Sequence, residues 1–155
     1  MSNRVTVDCA EGLSSPDWLG RVEPFAQKAL EALGVDGWEL SIMICDDPFI
    51  KTLNSTYRGI DAPTDVLSFE QGDEYVDDEG KTWLAAGDIV VSLGALARNC
   101  EDFSVGLDEE LKRLLVHGML HLDGMDHSDN SPEQEMLQLQ ERTLDRLSGE
   151  RIVEE

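Results

Sequence analysis

The sequence predicts a single domain of the α+β class, and three observations support this prediction. Its 155 residues suit one ordinary domain with its own core. Four short segments have the apolar patterns of β-strands, and longer segments repeat apolar residues at helical spacing. Three of the helical segments follow the last strand in succession. We therefore expect residues 1–155 to form one domain that combines a small sheet with several helices.

The four predicted strands are Arg4–Asp8, Trp38–Cys45, Asp65–Glu70 and Gly87–Ser92. The last two are expected to pair as a hairpin with a long tip. The segment between them, Gly72–Lys81, is rich in aspartate and glutamate, which indicates a solvated loop rather than a strand.

The segments with helical spacing are Trp18–Leu33, Asp47–Tyr57, Leu93–Asp102, Asp108–Leu122 and Pro132–Leu147. Ser15 and Pro16 signal the start of the first helix, and Pro24 inside it is expected to bend it. Asp46 supplies a cap for the second helix. Ser131–Gln134 has the pattern of a capping box for the last helix.

Charge and cysteine content exclude several classes of protein. Twelve basic residues against 33 acidic ones give a net charge of −21, which argues against holding nucleic acid or anionic lipid by broad electrostatic attraction. Cys9, Cys45 and Cys100 are too far apart for a disulfide framework or a thiolate zinc cluster. The sequence has no apolar run of about 18 residues. We therefore expect a cytoplasmic protein with reduced cysteines.

All three histidines of the chain, His117, His121 and His127, lie within the segment HGMLHLDGMDH. The first two are four residues apart on a predicted helix, so both imidazoles can reach one ion. Gly124 can take a positive φ and end the helix, after which the chain turns back to bring His127. Three neutral imidazoles with an open fourth position are the ligand set of a catalytic zinc. Such an ion lowers the pKa of bound water to about 7, so hydrolysis is the predicted reaction class.

Other interpretations of this segment stay open. The histidines alternatively hydrogen-bond at the surface of an amphipathic helix, or hold a structural metal. Their spacing also resembles the metzincin metalloproteases, which carry a glutamate general base directly after the first histidine. Gly118 occupies that position and cannot accept a proton, so peptide hydrolysis by that route is disfavoured. Asp123 or Asp126 could replace the base, although both fit better as histidine partners or turn residues.

A second informative segment is NSTYRG followed by PTDVLSF, which contains one of the few basic residues. Arg58 is predicted to lie where a helix meets a loop, just before a core strand. If it faces the metal, its guanidinium can bind a phosphate oxygen and stabilise the charge that develops during cleavage. The alternative is an exposed arginine with no role. Thr64 and Asp65 are expected to cap and turn the loop.

Together, the stretches LNSTYRGIDAPTDVLSFE, GDIVVS and LLVHGMLHLDGMDH resemble the YbeY family of bacterial endoribonucleases. The resemblance implies a zincin-like α+β fold, in which a small mixed β-sheet is flanked by helices. It implies one Zn²⁺ per chain on His117, His121 and His127, and a functionally important arginine at Arg58. Members of the family cut single-stranded RNA, act in ribosomal RNA maturation and ribosome quality control, and associate with the small ribosomal subunit.

The resemblance thus implies a zinc-dependent, single-strand-specific endoribonuclease that matures the 3′ end of 16S ribosomal RNA. Expected partners are single-stranded RNA and proteins of the small ribosomal subunit, with neither DNA nor a membrane among them. The attacking group is either a zinc-bound hydroxide or the substrate 2′-OH. The alternatives are a ribosome-assembly factor with a mainly structural metal, and a zinc hydrolase of peptides or small molecules.

The acidic surface repels RNA wherever Lys51, Arg58 and Arg98 do not cluster at the metal. We therefore expect a ribosomal partner to present the RNA to this protein. Adaptation of the surface to a salty cytoplasm is the other explanation for the acidity.

Overall fold

The computed structural model describes residues 2–125 and 134–154, which form a four-stranded β-sheet with helices on both faces. The strands are β1 (Arg4–Cys9), β2 (Trp38–Cys45), β3 (Val66–Val76) and β4 (Thr82–Ser92). The α-helices of this part of the chain are α1 (Val22–Ala32), α2 (Asp47–Arg58), α3 (Leu93–Phe103), α4 (Leu107–Leu122) and α5 (Glu135–Arg146). These elements confirm the predicted α+β class.

The sheet is mixed, as the resemblance implied, with the strand order β1-β2-β4-β3. β2 pairs parallel with both β1 and β4, whereas β3 pairs antiparallel with β4 at the edge. Because successive strand residues point to opposite faces, Ile89 and Val90 of β4 belong to different clusters. Ile89 packs in the larger core with residues of α1, α4 and α5. Val90 packs in a smaller cluster with Ile50 of α2.

Helix α4 lies at the centre of the larger core. The first turn of α4 is acidic, and negative side chains there interact favourably with the positive end of the helix dipole. Leu111, Leu115 and Met119 are fully buried on its inner face. A Cβ added to Gly118 would lie 2.9 Å from Cδ1 of Ile89, so helix and sheet approach closely at this point. The glycine therefore lets the histidine-bearing half of α4 rest directly on β4.

The hairpin of β3 and β4 is longer than predicted: of the predicted loop over Gly72–Lys81, residues 77–81 form the turn as expected, whereas residues 72–76 belong to β3. Each strand has 11 residues. The acidic residues fit a strand because the outer part of β3 is exposed at the sheet edge. Asp77 closes the turn, since its carboxylate accepts from the Lys81 N–H at 3.0 Å and from Nε1–H of Trp83 at 2.9 Å. The Trp83 hydrogen bond holds the pKa of Asp77 below its ordinary value.

The helix starts differ from prediction at the amino terminus. The segment predicted to begin as a helix at Trp18 contains a 3₁₀ turn, Leu19–Arg21, before α1 starts. Pro24 therefore lies in the first turn of α1, where proline is tolerated, and the predicted bend inside a longer helix is wrong. The predicted capping box at Ser131–Gln134 lies, except for Gln134, outside the described residues.

No helix within residues 2–125 and 134–154 is long and apolar enough to cross a bilayer. All three cysteines lie in the described part of the chain and none forms a disulfide. Cys45 is buried, and desolvation raises the pKa of its thiol to about 12. A thiol in that state is an inert core group rather than a nucleophile.

Candidate active site

The candidate site is built on the C-terminal end of α4, which carries His117 and His121 one turn apart. Gly124 follows the helix with a φ of +87°. The N–H groups of Gly124 and Met125 donate to the carbonyls of His121 and Leu120, each at 3.0 Å. These paired bonds form a Schellman motif, which satisfies the last carbonyls of a helix. The predicted role of Gly124 as the helix terminator is confirmed.

Each of the two imidazoles is oriented by an oxygen atom facing its Nδ1. His117 donates from Nδ1–H to Oε1 of Gln140 at 2.7 Å, and His121 donates from Nδ1–H to the main-chain oxygen of Met125 at 3.1 Å. Both oxygens can only accept, so in the neutral imidazoles both Nδ1 atoms carry the hydrogen and both Nε2 atoms present a lone pair. The turn after α4 thus also sets the tautomer of His121.

The two Nε2 atoms of His117 and His121 face each other at 3.0 Å. Two imidazole nitrogens on one tetrahedral zinc, each about 2.0–2.1 Å from it, lie about 3.3 Å apart. Two lone pairs at this separation repel each other unless positive charge lies next to both. The donor chemistry and the spacing of these two rings therefore fit a metal cation.

The other predicted residues around these rings have different outcomes. His127 and Asp126 lie outside the described residues, so their part in the site stays a prediction. Asp123 is exposed at the end of α4, and the oxygens that orient the two imidazoles come from other residues. Within residues 2–125 and 134–154, no group of three or more histidine, cysteine, aspartate or glutamate side chains is arranged to hold a metal.

Gln140 on α5 is a site residue that the sequence analysis missed. It is only 5% exposed and lies on the inward face of α5, among Met136, Thr143 and Leu144. Its Nε2–H donates to Glu141 at 3.0 Å, which fixes Oε1 toward the imidazole of His117. A glutamine at an apolar position of an amphipathic helix was the sequence signal that could have identified it.

A salt bridge supports this glutamine from behind. Arg113 donates from Nε and Nη2 to the two carboxylate oxygens of Glu141, each at 3.0 Å. These bonds hold the pKa of Glu141 below its ordinary value. They also raise the pKa of Arg113 above its ordinary value. The chain from Arg113 through Glu141 and Gln140 therefore fixes the ring of His117 from outside the cleft.

Replacing Gln140 with leucine should weaken metal binding by about 10- to 100-fold, because the orienting acceptor of His117 is lost while the side-chain volume is nearly kept. Competition with a metal-responsive dye measures this affinity. Gln140→Glu is the matched control, since a carboxylate still accepts from Nδ1–H and should retain most of the affinity. Equal affinity in the leucine variant and the wild-type protein would remove Gln140 from the site.

Arg58 is the last residue of α2, and Gly59 ends the helix in the left-handed region with a φ of +72°. The guanidinium donates from Nη2 to the Ser68 carbonyl at 2.7 Å and lies 5.4 Å from the ring centroid of Phe69. The side chain is exposed, so it keeps further N–H donors for a ligand. Asp65, in the loop before β3, accepts from the Val66 N–H at 2.7 Å, in agreement with its predicted local role.

One cleft of about 810 Å³ contains both the histidine pair of α4 and Arg58 of α2. Arg58, His117 and His121 all line it, together with residues of β3 and the turn after α4. Lys51 and Arg98 do not join them: Lys51 lies near Asp61, and Arg98 is bonded to Asp47 at 2.7 Å. Among the described residues, Arg58 is therefore the one lysine or arginine that lines the cleft.

A family model described as Endoribonuclease YbeY matches residues 10–148, which include every site residue named so far. The chain belongs to the YbeY endoribonuclease family. This family acts in ribosomal RNA processing, and the activity of its members is that of a hydrolase acting on RNA. The family is one of metal-dependent nucleases.

Relatives named Endoribonuclease YbeY agree with this assignment. The chain is 61% identical to the Treponema denticola protein over 124 residues, covering 80% of each chain. It is 55% identical to the Treponema pallidum (strain Nichols) protein, covering 92% of this chain and 88% of the relative. It is 41% identical to the Aquifex aeolicus protein, covering 83% of both.

The fold also matches a solved structure. The solution structure of TM1509 from Thermotoga maritima is 25% identical, with a TM-score of 0.63, and the match covers 96% of this chain and 91% of that chain. The helix that carries the histidines and the mixed sheet beneath it therefore belong to a fold that recurs at low sequence identity.

Proposed function

We propose that this YbeY-family protein is a zinc-dependent, single-strand-specific endoribonuclease in which His117, His121 and His127 hold one Zn²⁺ and Arg58 binds the scissile phosphate. The main support is that two imidazole Nε2 atoms face each other at 3.0 Å in a cleft that also contains Arg58. We propose that this cleavage matures the 3′ end of 16S ribosomal RNA.

A zinc ion held by these histidines would supply positive charge next to a phosphate oxygen and would lower the pKa of water. The protein's own contribution is orientation. Gln140 and the Met125 carbonyl hold Nδ1–H of the two histidines, so that both Nε2 lone pairs stay directed into the cleft. Arg58 is held by the Ser68 carbonyl at the same cleft and can donate to a phosphate oxygen whose charge grows during cleavage.

Peptide hydrolysis by the metzincin route is disfavoured by packing as well as by chemistry. The general-base position is occupied by Gly118, and any Cβ there would press against the buried side chain of Ile89. A glutamate at this position would therefore require the Ile89 side chain or α4 to shift.

The cleft also bears on how RNA reaches the site. Asp65 and Glu70 line it beside the single cleft arginine of the described residues, and the chain as a whole carries a net charge of −21. Long-range attraction of RNA is thus weak or repulsive. We propose that a small-subunit ribosomal protein presents single-stranded RNA to the site, and that the protein works in the cytoplasm.

Metal removal tests the proposed function directly. The native protein should contain about one zinc per chain, chelation should reduce cleavage of a single-stranded ribosomal RNA fragment to background, and added zinc should restore it. Metal analysis and gel-based cleavage assays measure the two quantities on the same sample. Full cleavage by metal-free protein would refute the proposal.

Arg58→Glu should reduce RNA cleavage about a hundredfold or more, because a phosphate donor is replaced by a charge that repels the phosphate. Zinc content and thermal stability should stay close to wild type, since the side chain is exposed. Lys51→Glu is the matched control, as it makes the same charge change on α2 outside the cleft. Equal losses in both variants would indicate a general charge effect instead of phosphate binding by Arg58.

A further inference from the structure

A groove lies next to the cleft, on the face of the sheet that packs against α2. It has a volume of about 370 Å³ and lies between α2 and residues of β2, β3 and β4. Tyr57 and Phe69 line both the groove and the cleft. Arg58 follows Tyr57 in α2 and lies over the Phe69 ring. An RNA strand whose phosphate contacts Arg58 can therefore extend directly into the groove.

The walls of the groove are aromatic and open to solvent. Tyr57 is 65% exposed and Phe49 is 38% exposed, although both are large apolar side chains. The rings of Tyr57 and Phe69 meet edge to face with their centroids 5.3 Å apart. Met43 and Leu53 supply aliphatic surface alongside them. Exposed aromatic rings next to a phosphate-binding arginine are the surface on which unpaired bases stack.

The charges in the groove favour a base over a phosphate. Its lining includes the carboxylate of Asp88, which lies 3.5 Å from Nε2 of Gln71, and contains no lysine or arginine among the described residues. A phosphate placed there would meet a negative charge, whereas a neutral base would not. The polar side chains can instead hydrogen-bond to the edge of a base.

We propose that the groove of Phe49, Tyr57 and Phe69 binds one unpaired base of the RNA, next to the phosphate held by Arg58. The inference rests on the proposed function, because that function places the RNA strand at Arg58. It adds a source of affinity that an acidic protein needs, since stacking does not depend on attraction between charges. It also gives a physical reason for preferring single strands, because paired bases are not available to enter a groove.

Binding of a non-cleavable RNA tests this subsite separately from cleavage. The probe is a fluorescein-labelled hexa-adenosine with 2′-O-methyl groups throughout, and its counterpart has the same backbone with abasic riboses. Fluorescence anisotropy with the full-length, zinc-loaded protein should show that Tyr57→Ala weakens binding of hexa-adenosine by about five- to a hundredfold. The same variant should bind the abasic strand as the wild-type protein does.

Tyr75→Ala is the matched control, because Tyr75 is also an exposed tyrosine but lies on the distal part of the hairpin, outside the groove lining. Methyl NMR spectra of the complex should show shifts at Met43, Leu53 and Val90, which line the groove. Three results would overturn the subsite: groove methyl signals that do not shift when RNA binds, an equal loss of hexa-adenosine affinity in Tyr57→Ala and Tyr75→Ala, or no binding of hexa-adenosine at all. Unshifted methyl signals would indicate that the groove binds a protein partner instead of RNA.

The two hypotheses fail in different ways. If RNA binding shifts these methyl signals but cleavage is equally fast without metal, the base subsite is supported and the proposed zinc mechanism is refuted. A protein whose cleavage depends on zinc, but whose Tyr57→Ala variant binds hexa-adenosine normally, refutes the base subsite alone.

Discussion

His121→Ala should abolish zinc binding and RNA cleavage while the protein stays folded. His121 supplies one of the two Nε2 atoms that face each other at 3.0 Å, so its removal leaves His117 without its counterpart. Loss of a residue that merely orients a ligand costs about 10- to 100-fold in metal affinity, and loss of the ligand itself should cost more. Alanine is the best helix former, so α4 should persist.

Metal analysis after dialysis, RNA cleavage and circular dichroism check the three parts of this expectation. Asp123→Ala is the control, since this exposed carboxylate follows the same helix but neither lines the cleft nor orients His117 or His121. It should keep zinc and activity, which would also exclude Asp123 as the general base. Wild-type zinc content in His121→Ala would refute the metal site.

Gly87→Ala should strongly destabilise the protein. Gly87 has a φ of +144°, and an added Cβ would lie 2.0 Å from the Phe69 carbonyl oxygen and 3.0 Å from Cδ2 of Leu122. Backbone strain and overpacking each cost about 1–3 kcal/mol, so a total on the order of 3–5 kcal/mol is expected. Native proteins have only about 5–15 kcal/mol of stability, so the variant would lose a large part of it.

Urea unfolding followed by tryptophan fluorescence measures this loss. Gly80→Ala in the turn of the same hairpin is the control, because Gly80 also has a positive φ of +82° but an added Cβ would meet no atom within 4 Å. It should cost about 1–2 kcal/mol from backbone strain alone. Similar losses in the two variants would show that β3 and the end of α4 can move away from Gly87 at little cost.

The position of Gly87 also explains why the GDIVVS stretch matters to the site. The glycine lets the β3 carbonyl at Phe69 and the Leu122 side chain at the end of α4 approach the same point of β4. Phe69 and Leu122 both line the cleft. A strand residue without a side chain is thus needed for the sheet edge and the histidine helix to close around one site.

Local patterns were enough to predict most of the elements. The β2 segment Trp38–Cys45 matches the prediction, and α4 starts one residue earlier than predicted and ends at Leu122 as expected. These segments have strong apolar periodicity, which depends only on residues close in sequence. The acidic half of β3 was missed because its strand state depends on pairing with β4, which overrides its polar composition.

From the sequence alone, the spacing of His117 and His121 and the helix end at Gly124 could be inferred, because each depends on a local motif. A role for Arg58 was implied only by the family resemblance and stays a prediction. Only the tertiary structure revealed that Gln140 fixes His117 from α5, that Ser68 holds Arg58, and that an aromatic groove adjoins the cleft. These contacts join residues of different elements, and the packing of helices on the sheet decides which of them meet. Periodicity within one segment carries no information about that packing.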